Sequence, residues 1–135
     1  MAWHLAGQML AGKRPRIFKH GEQKRDFVYV KDIVAMTIAA MKSGKSGVWN
    51  AGSGQPRSFN EMIGGLNKVL KTKLKPEYFD CPYPFYQPHT EADMTATKRD
   101  LKIEPRFSLE AGLEDYFKSG WLTKGRGKVS AKKKK

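Results

Sequence analysis

Basic residues crowd the front of the chain. Between positions 13 and 25 stand Lys13, Arg14, Arg16, Lys19, Lys24 and Arg25, with one acid, Glu22. A cluster of this kind serves phosphate binding or is a solvated face. Further along, Asp80-Cys81-Pro82-Tyr83-Pro84-Phe85-Tyr86-Gln87-Pro88 holds three prolines and three aromatics. Proline fixes φ and removes a donor, so this stretch reads as a stiff aromatic loop. Gly52-Ser53-Gly54 offers two glycines of a dinucleotide fingerprint, but Arg57 stands where the third belongs, and Glu77 then means little as the ribose-binding acid. His20 and His89 lack companions. No Cys/His set has zinc spacing and no carboxylate set has calcium spacing. Cys81 is the single cysteine, which rules out an intrachain disulfide and fits a reducing compartment.

These residues need elements to hold them. Trp3, Leu5, Met9 and Leu10 predict a helix that stops at Gly12. Residues 13–22 read as a loop with a short strand at Arg16–Phe18. Residues 26–30, Asp-Phe-Val-Tyr-Val, are β-branched and aromatic and predict a second strand. Asp32 is the expected N-cap of a helix with Ile33, Met36, Thr37 and Met41 at helical spacing. Met36 and Met41 are assigned to the core, and Gly44 closes the helix. A short apolar run at 47–51 ends in the glycine turn. Ser58 and Glu61 form a capping-box pattern ahead of the best helical stripe, Phe59, Met62, Ile63, Leu66, Val69 and Leu70. Residues 76–79 predict a third strand. Asp93 is the expected cap of a helix running to about Leu101. Ser108 caps a last helix with Leu109, Leu113, Tyr116 and Phe117 on one side, closed by Gly120, with Trp121 folding back. Beyond Leu122 the chain turns to Lys, Gly and Arg, so 123–135 is expected to be a disordered basic tail.

Strands this short and scattered make a poor sheet by themselves, because parallel-type strands need neighbours on both sides. The expectation is an α/β fragment, with some strands completing a sheet that begins elsewhere. The length of 135 residues allows one ordinary domain. No apolar run approaches the roughly 20 residues of a membrane span, and the N-terminus does not have the pattern of a secretory signal.

Arg25-Asp26-Phe27-Val28-Tyr29-Val30-Lys31-Asp32-Ile33 resembles the R-D-F-V-Y-V-x-D-V segment of extended short-chain dehydrogenases/reductases that act on nucleotide sugars. Asn50-Ala51-Gly52-Ser53-Gly54 is similar to the N-x-G-[ST]-G turn that follows it in the same family. The Trp3-His4-Leu5 helix, the loop 15–21 and Thr90-Glu91-Ala92-Asp93-Met94-Thr95 are similar to the second half of the members that epimerise ADP-linked heptose. The resemblance runs from about Met1 to Leu122. It implies the C-terminal, substrate-binding part of such an enzyme over 1–122, with the main Rossmann sheet outside this chain.

The resemblance also implies an ADP-sugar substrate, NADP held mainly by the other half, a cytoplasmic setting and a homo-oligomeric whole enzyme. Substrate contacts would fall on His4, Phe18, Lys19, His20, Gly21, Arg25 and Tyr86. His4 would donate to a sugar hydroxyl or phosphate; the plainer alternative is an exposed helix histidine. Phe18 would pack on the adenine and Gly21 would let the backbone approach the ligand; otherwise 18–21 is a surface turn with an inward Phe. Arg25 would grip the pyrophosphate through its planar fork, against a surface ion pair with Asp26 or Glu22. Tyr86 would meet the sugar nucleotide, or simply cover the core beside Tyr83 and Phe85. The family's glycine-rich cofactor turn and its Tyr-x-x-x-Lys pair have no counterpart here: Tyr78 and Tyr83 lack the lysine, and Tyr29 meets Ile33 at that spacing. No catalytic, cofactor-binding or metal residue is therefore assigned, and the fragment is expected to be inactive alone.

Two other readings remain open. Another nucleotide-sugar epimerase, dehydratase or reductase would show the same two general motifs. A nucleic-acid-binding module would account for the net charge of +13 and for Lys132 to Lys135. It ranks lower, because the chain has no helix-turn-helix, zinc-finger or RNA-recognition signature.

Overall fold

A computed structural model describes residues 1–124. The element order is α1 (Ala2–Leu10), β1 (Arg16–Phe18), a 3-10 turn (Lys19–Gly21), β2 (Lys24–Asp26), α2 (Val30–Lys42), β3 (Pro56–Ser58), α3 (Phe59–Leu70), β4 (Glu77–Phe79), α4 (Thr95–Leu101) and α5 (Leu109–Lys118). The expected tail, 123–135, lies outside the described residues apart from Thr123 and Lys124, which sit in a turn.

Helix α3 is the centre of the molecule. Its start is fixed by the predicted capping box: the Glu61 N–H donates to Ser58 Oγ at 3.1 Å, and the Ser58 N–H donates to Glu61 Oε2 at 2.7 Å. Its stripe of Phe59, Met62, Ile63, Leu66 and Leu70 is buried. Leu5, Ala6 and Met9 of α1 and Leu113 of α5 join that stripe in one core, together with Ile17 and Leu122. A methyl group at Gly65 would stand 2.6 Å from Leu113 Cδ1, so the missing side chain is what lets α5 close onto α3.

The strands form two separate pairs among the described residues. β1 runs parallel to β4 with Ile17 opposite Tyr78 and Phe18 opposite Phe79. β2 runs antiparallel to β3 with Arg25 opposite Arg57. The two arginines do not compete, since Arg57 is held by Glu61 and Glu110. A single bridge adds the proline-rich loop to β2: the Lys24 N–H donates to Pro88 O at 2.8 Å, and the Thr90 N–H donates to Lys24 O at 3.2 Å.

Several expectations are corrected. The strand expected at 26–30 lies at Lys24–Asp26, and Val30 already begins α2. The ladder stops where Asp26 meets Pro56, which has no N–H to give. Phe27 instead packs edge-on against Phe59, with ring centres 5.6 Å apart, and Tyr29 packs on Phe107 at 4.8 Å. Asp32 is not the cap of α2; Tyr29 occupies that place. Asp32 is buried inside the first turn and accepts the N–H groups of Arg106 and Phe107, each at 3.0 Å. Met36 is core as expected, but Met41 is 79% exposed. Trp121 is exposed, and the buried residue of that end is Leu122. Ser108 does cap α5, accepting from the Ala111 N–H at 3.2 Å. Asp93 accepts from the Thr95 N–H at 2.9 Å, while Met94 holds the cap position of α4.

Candidate functional site

The two strand pairs and the proline-rich loop meet at one corner, and three of the expected substrate-binding side chains meet there too. The Arg25 guanidinium lies over the Tyr86 ring, 4.8 Å from its centre. Tyr86 stands edge-on to Phe18 at 4.7 Å, nearly perpendicular. Phe79 completes the row from β4, 5.7 Å from Phe18. Two Arg25 donors are fixed on backbone: Nη1 donates to Lys24 O at 2.7 Å and Nη2 to Gln87 O at 2.6 Å. The remaining N–H donors of the five-donor fork stay available to an anion. The bridge at Lys24 is what brings the loop, and so Tyr86, to β2.

Phe79 is not singled out by the sequence. The signal that could find it is register: a strand at 76–79 paired with Arg16–Phe18 puts one aromatic beside the other.

The turn after Phe18 is tightly held. His20 has φ 56°, a left-handed conformation. Its carbonyl accepts from Asn60 Nδ2 at 2.8 Å, and the Tyr78 hydroxyl donates to Asn60 Oδ1 at 3.0 Å. The His20 ring lies 5.8 Å from that of Tyr78. Gly21, with φ +71°, has no room for a side chain: a methyl would sit 2.3 Å from Asn60 Oδ1 and 2.6 Å from Ile17 Cδ1. Its glycine is explained by packing inside the chain, whatever ligand it also approaches. Asn60 carries no sequence signal of this role. Lys19 opens the turn.

His4 is exposed on α1 and makes its contact one turn on, with His4 Nε2 and Gln8 Nε2 3.1 Å apart. Gln8 in turn accepts the Arg16 N–H at 2.8 Å, which ties α1 to β1.

The glycine turn is occupied from within. Asp26 accepts the N–H groups of Ser53 at 2.6 Å, Gly54 at 2.9 Å and Ala92 at 2.9 Å. Burial alone would raise its pKa, but these hydrogen bonds outweigh that and lower it. A cofactor diphosphate would need the same N–H groups, so this turn does not fit a dinucleotide. The Tyr29 hydroxyl is likewise engaged within the chain. Burial, followed by the bond its hydroxyl donates to Asp115 at 2.6 Å, pushes its pKa up to about 12. The described residues hold no group of three or more His, Cys, Asp or Glu able to take a metal ion.

A hollow of about 340 Å³ beside the row is lined by His20, Tyr78, Phe79, Asp80 and Cys81, and two larger cavities lie further off. One, about 560 Å³, is polar and runs from Ser53 to Lys98 and Glu104. The other, about 540 Å³, is more apolar and lies between residues 27–30 and α5, with Ala2 and Met62 on its wall. Neither is lined by Phe18, Arg25, Tyr86 or His4.

Residues 1–52 match the family described as NAD dependent epimerase/dehydratase. The fold matches ADP-L-glycero-D-manno-heptose-6-epimerase of Helicobacter pylori at 39% identity and a TM-score of 0.80, over 88% of this chain and 37% of that one. In residues 1–52 and in fold, the chain is similar to the NAD dependent epimerases/dehydratases. UDP-glucuronic acid 4-epimerase of Bacillus cereus, solved with UDP-glucuronic acid and NAD, is 33% identical with a TM-score of 0.77, over 88% of this chain and 40% of that one. UDP-glucose 4-epimerase of Thermotoga maritima, solved with UDP-glucose, is 32% identical with a TM-score of 0.77, over 87% and 39%. The chain therefore spans about two fifths of the length of these epimerases. The α/β arrangement of helices with a few short strands is that of an epimerase segment, as the sequence predicts. No helix among the described residues is long and apolar enough to cross a membrane.

Proposed function

We propose that this chain is the C-terminal, substrate-gripping part of a nucleotide-sugar epimerase acting on an ADP-linked heptose. The observation that carries the reading is the row in which Arg25 lies over Tyr86 and Tyr86 stands edge-on to Phe18, residues from three separate segments of the chain. Aromatic faces beside a fixed guanidinium suit a nucleobase next to a diphosphate. Phe18 and Tyr86 would take the base, and the free donors of Arg25 would take the diphosphate. His4, Lys19, His20 and Gly21 would complete the substrate contacts. Holding the nucleotide at this distance from the reacting carbon would place the sugar without touching the bond that changes.

The nicotinamide cofactor, NADP on this reading, would supply reversible oxidation of the sugar and would be bound by the other half of the enzyme. The occupied glycine turn and the proton-retaining Tyr29 support the assignment of cofactor and proton transfer to that half. It is also the partner expected at the exposed apolar face of α2, within a homo-oligomeric whole enzyme. The heptose preference rests on the higher identity to the Helicobacter enzyme and on His4, Tyr86 and the 90–95 segment.

A thermal-shift panel tests the nucleotide. ADP should raise the melting temperature more than UDP or GDP. Stabilisation by UDP or GDP and not by ADP would move the assignment to another epimerase. Mixing the chain with NADP and ADP-heptose should give no turnover; measurable epimerisation would refute the division of labour.

A further inference from the structure

The proposed substrate contacts include three consecutive residues, Lys19, His20 and Gly21, and the shape of their turn is unfavourable on its own. His20 is not a glycine, yet it stands at φ 56°, where the Cβ crowds the following carbonyl. Further on, Gln23 is buried, and its Oε1 has no hydrogen-bond partner among the described residues. A buried polar atom left unpaired is destabilising. The segment between Phe18 and Arg25 therefore needs contacts from outside to hold it.

Asn60 supplies them. It is the second residue of α3, and the Ser58–Glu61 box fixes the start of that helix. Its Nδ2 donates to His20 O at 2.8 Å. Its Oδ1 accepts from the Tyr78 hydroxyl at 3.0 Å, which decides the end of the amide that faces the turn. Tyr78 is itself set by β4, opposite Ile17 of β1. Gly21 lies so close that a methyl there would stand 2.3 Å from Asn60 Oδ1. Helix, strand and turn thus meet on one amide. The His20 and Tyr78 rings, 5.8 Å apart, both line the hollow beside the row.

We infer that Asn60 is a positioning residue of the nucleotide site: oriented by Tyr78, it acts through His20 to fix the Lys19–Gly21 turn in the shape that meets the ligand. The inference rests on the reading of this corner as the place of a nucleoside diphosphate. Without the amide, the turn must be ordered when the ligand binds. Ordering about one backbone residue corresponds to roughly tenfold in affinity.

The test is calorimetric titration of the full chain with ADP, and with UDP or GDP where those bind instead. Asn60→Ala should weaken binding about tenfold. Alanine is a better helix former than asparagine, so α3 and the urea midpoint should hold. In the chain without nucleotide, amide hydrogen exchange should quicken at residues 19–21 and not in the buried part of α3. Tyr78→Phe leaves α3 untouched and should weaken binding about threefold, the scale of one neutral hydrogen bond. Glycine enters the left-handed region without help. In a His20→Gly background the Asn60→Ala loss should therefore shrink to about twofold or less, whatever His20→Gly does by itself. A residue that merely supports the fold would show the same loss in both backgrounds, and that result overturns the inference. Equal affinity in the unaltered chain, Asn60→Ala and Tyr78→Phe also overturns it, and leaves the nucleotide reading standing. If the unaltered chain takes up none of the three nucleotides, the nucleotide reading falls and the inference with it.

Discussion

Asp26 and Arg25 are adjacent and face different tasks. The Asp26 carboxylate gathers three backbone N–H groups from two loops, 53–54 and 92. Its pKa is lowered in the fold, so the unfolded chain holds the proton more tightly. Its contribution is therefore full above the ordinary value of 3.8 and is lost as pH falls through the lowered one. Asp26→Asn should reduce stability by about 2 kcal/mol near neutral pH, the scale of hydrogen bonds to a charged group. Urea unfolding at about pH 7 and about pH 3 checks this, and the penalty should shrink at the acid end. An equal penalty at both would show that the charge is not what matters. Arg25 bears on binding instead. Arg25→Lys keeps the charge but loses the planar fork, and should weaken ADP binding roughly tenfold by calorimetry with little change in melting. The fold brings Arg25, Phe18 and Tyr86 into contact, which is the arrangement the proposed site requires.

Secondary structure is legible where one rule acts alone. The Ser58–Glu61 box and its stripe predict α3 because both ends of the pattern agree, and Ser58→Ala should cost about 1 kcal/mol in a thermal or urea melt. A substitution without effect would mean that the box is redundant with the packing of Phe59. Residues 26–30 are less legible. Phe27, Val28 and Tyr29 have strand-like types, yet types do not reveal whether a neighbouring strand is present. Here the rings plug the space beside Phe59 and Phe107 instead. Asp32 shows the same limit: a carboxylate at a helix start reads as a cap, and only the return of the chain at 106–107 turns it into an anchor. In the candidate site, Arg25, Phe18 and Tyr86 come from the family resemblance, whereas Phe79 and Asn60 depend on strand register and a long-range contact. No local pattern carries either.

At the scale of the molecule, α2 is the element least satisfied by its surroundings. Val30, Val34, Ile38 and Met41 recur at helical spacing and are 60%, 51%, 44% and 79% exposed. Val48, just beyond the helix, is 95% exposed. Scattered apolar residues need no explanation, but a stripe along one helix face marks a surface that packs elsewhere. The related epimerases are more than twice as long as this chain, and the proposed occupant is their dinucleotide-binding half. Ile38→Lys/Met41→Lys should then change the unfolding free energy of the isolated chain by no more than the small range of surface substitutions, about 0.5 kcal/mol. Co-expressed with a dinucleotide-binding half from a related epimerase, the unaltered chain should co-purify with it and the variant should not. A variant that melts far lower by itself would place those side chains in the chain's own core, and the stripe would then say nothing about a partner.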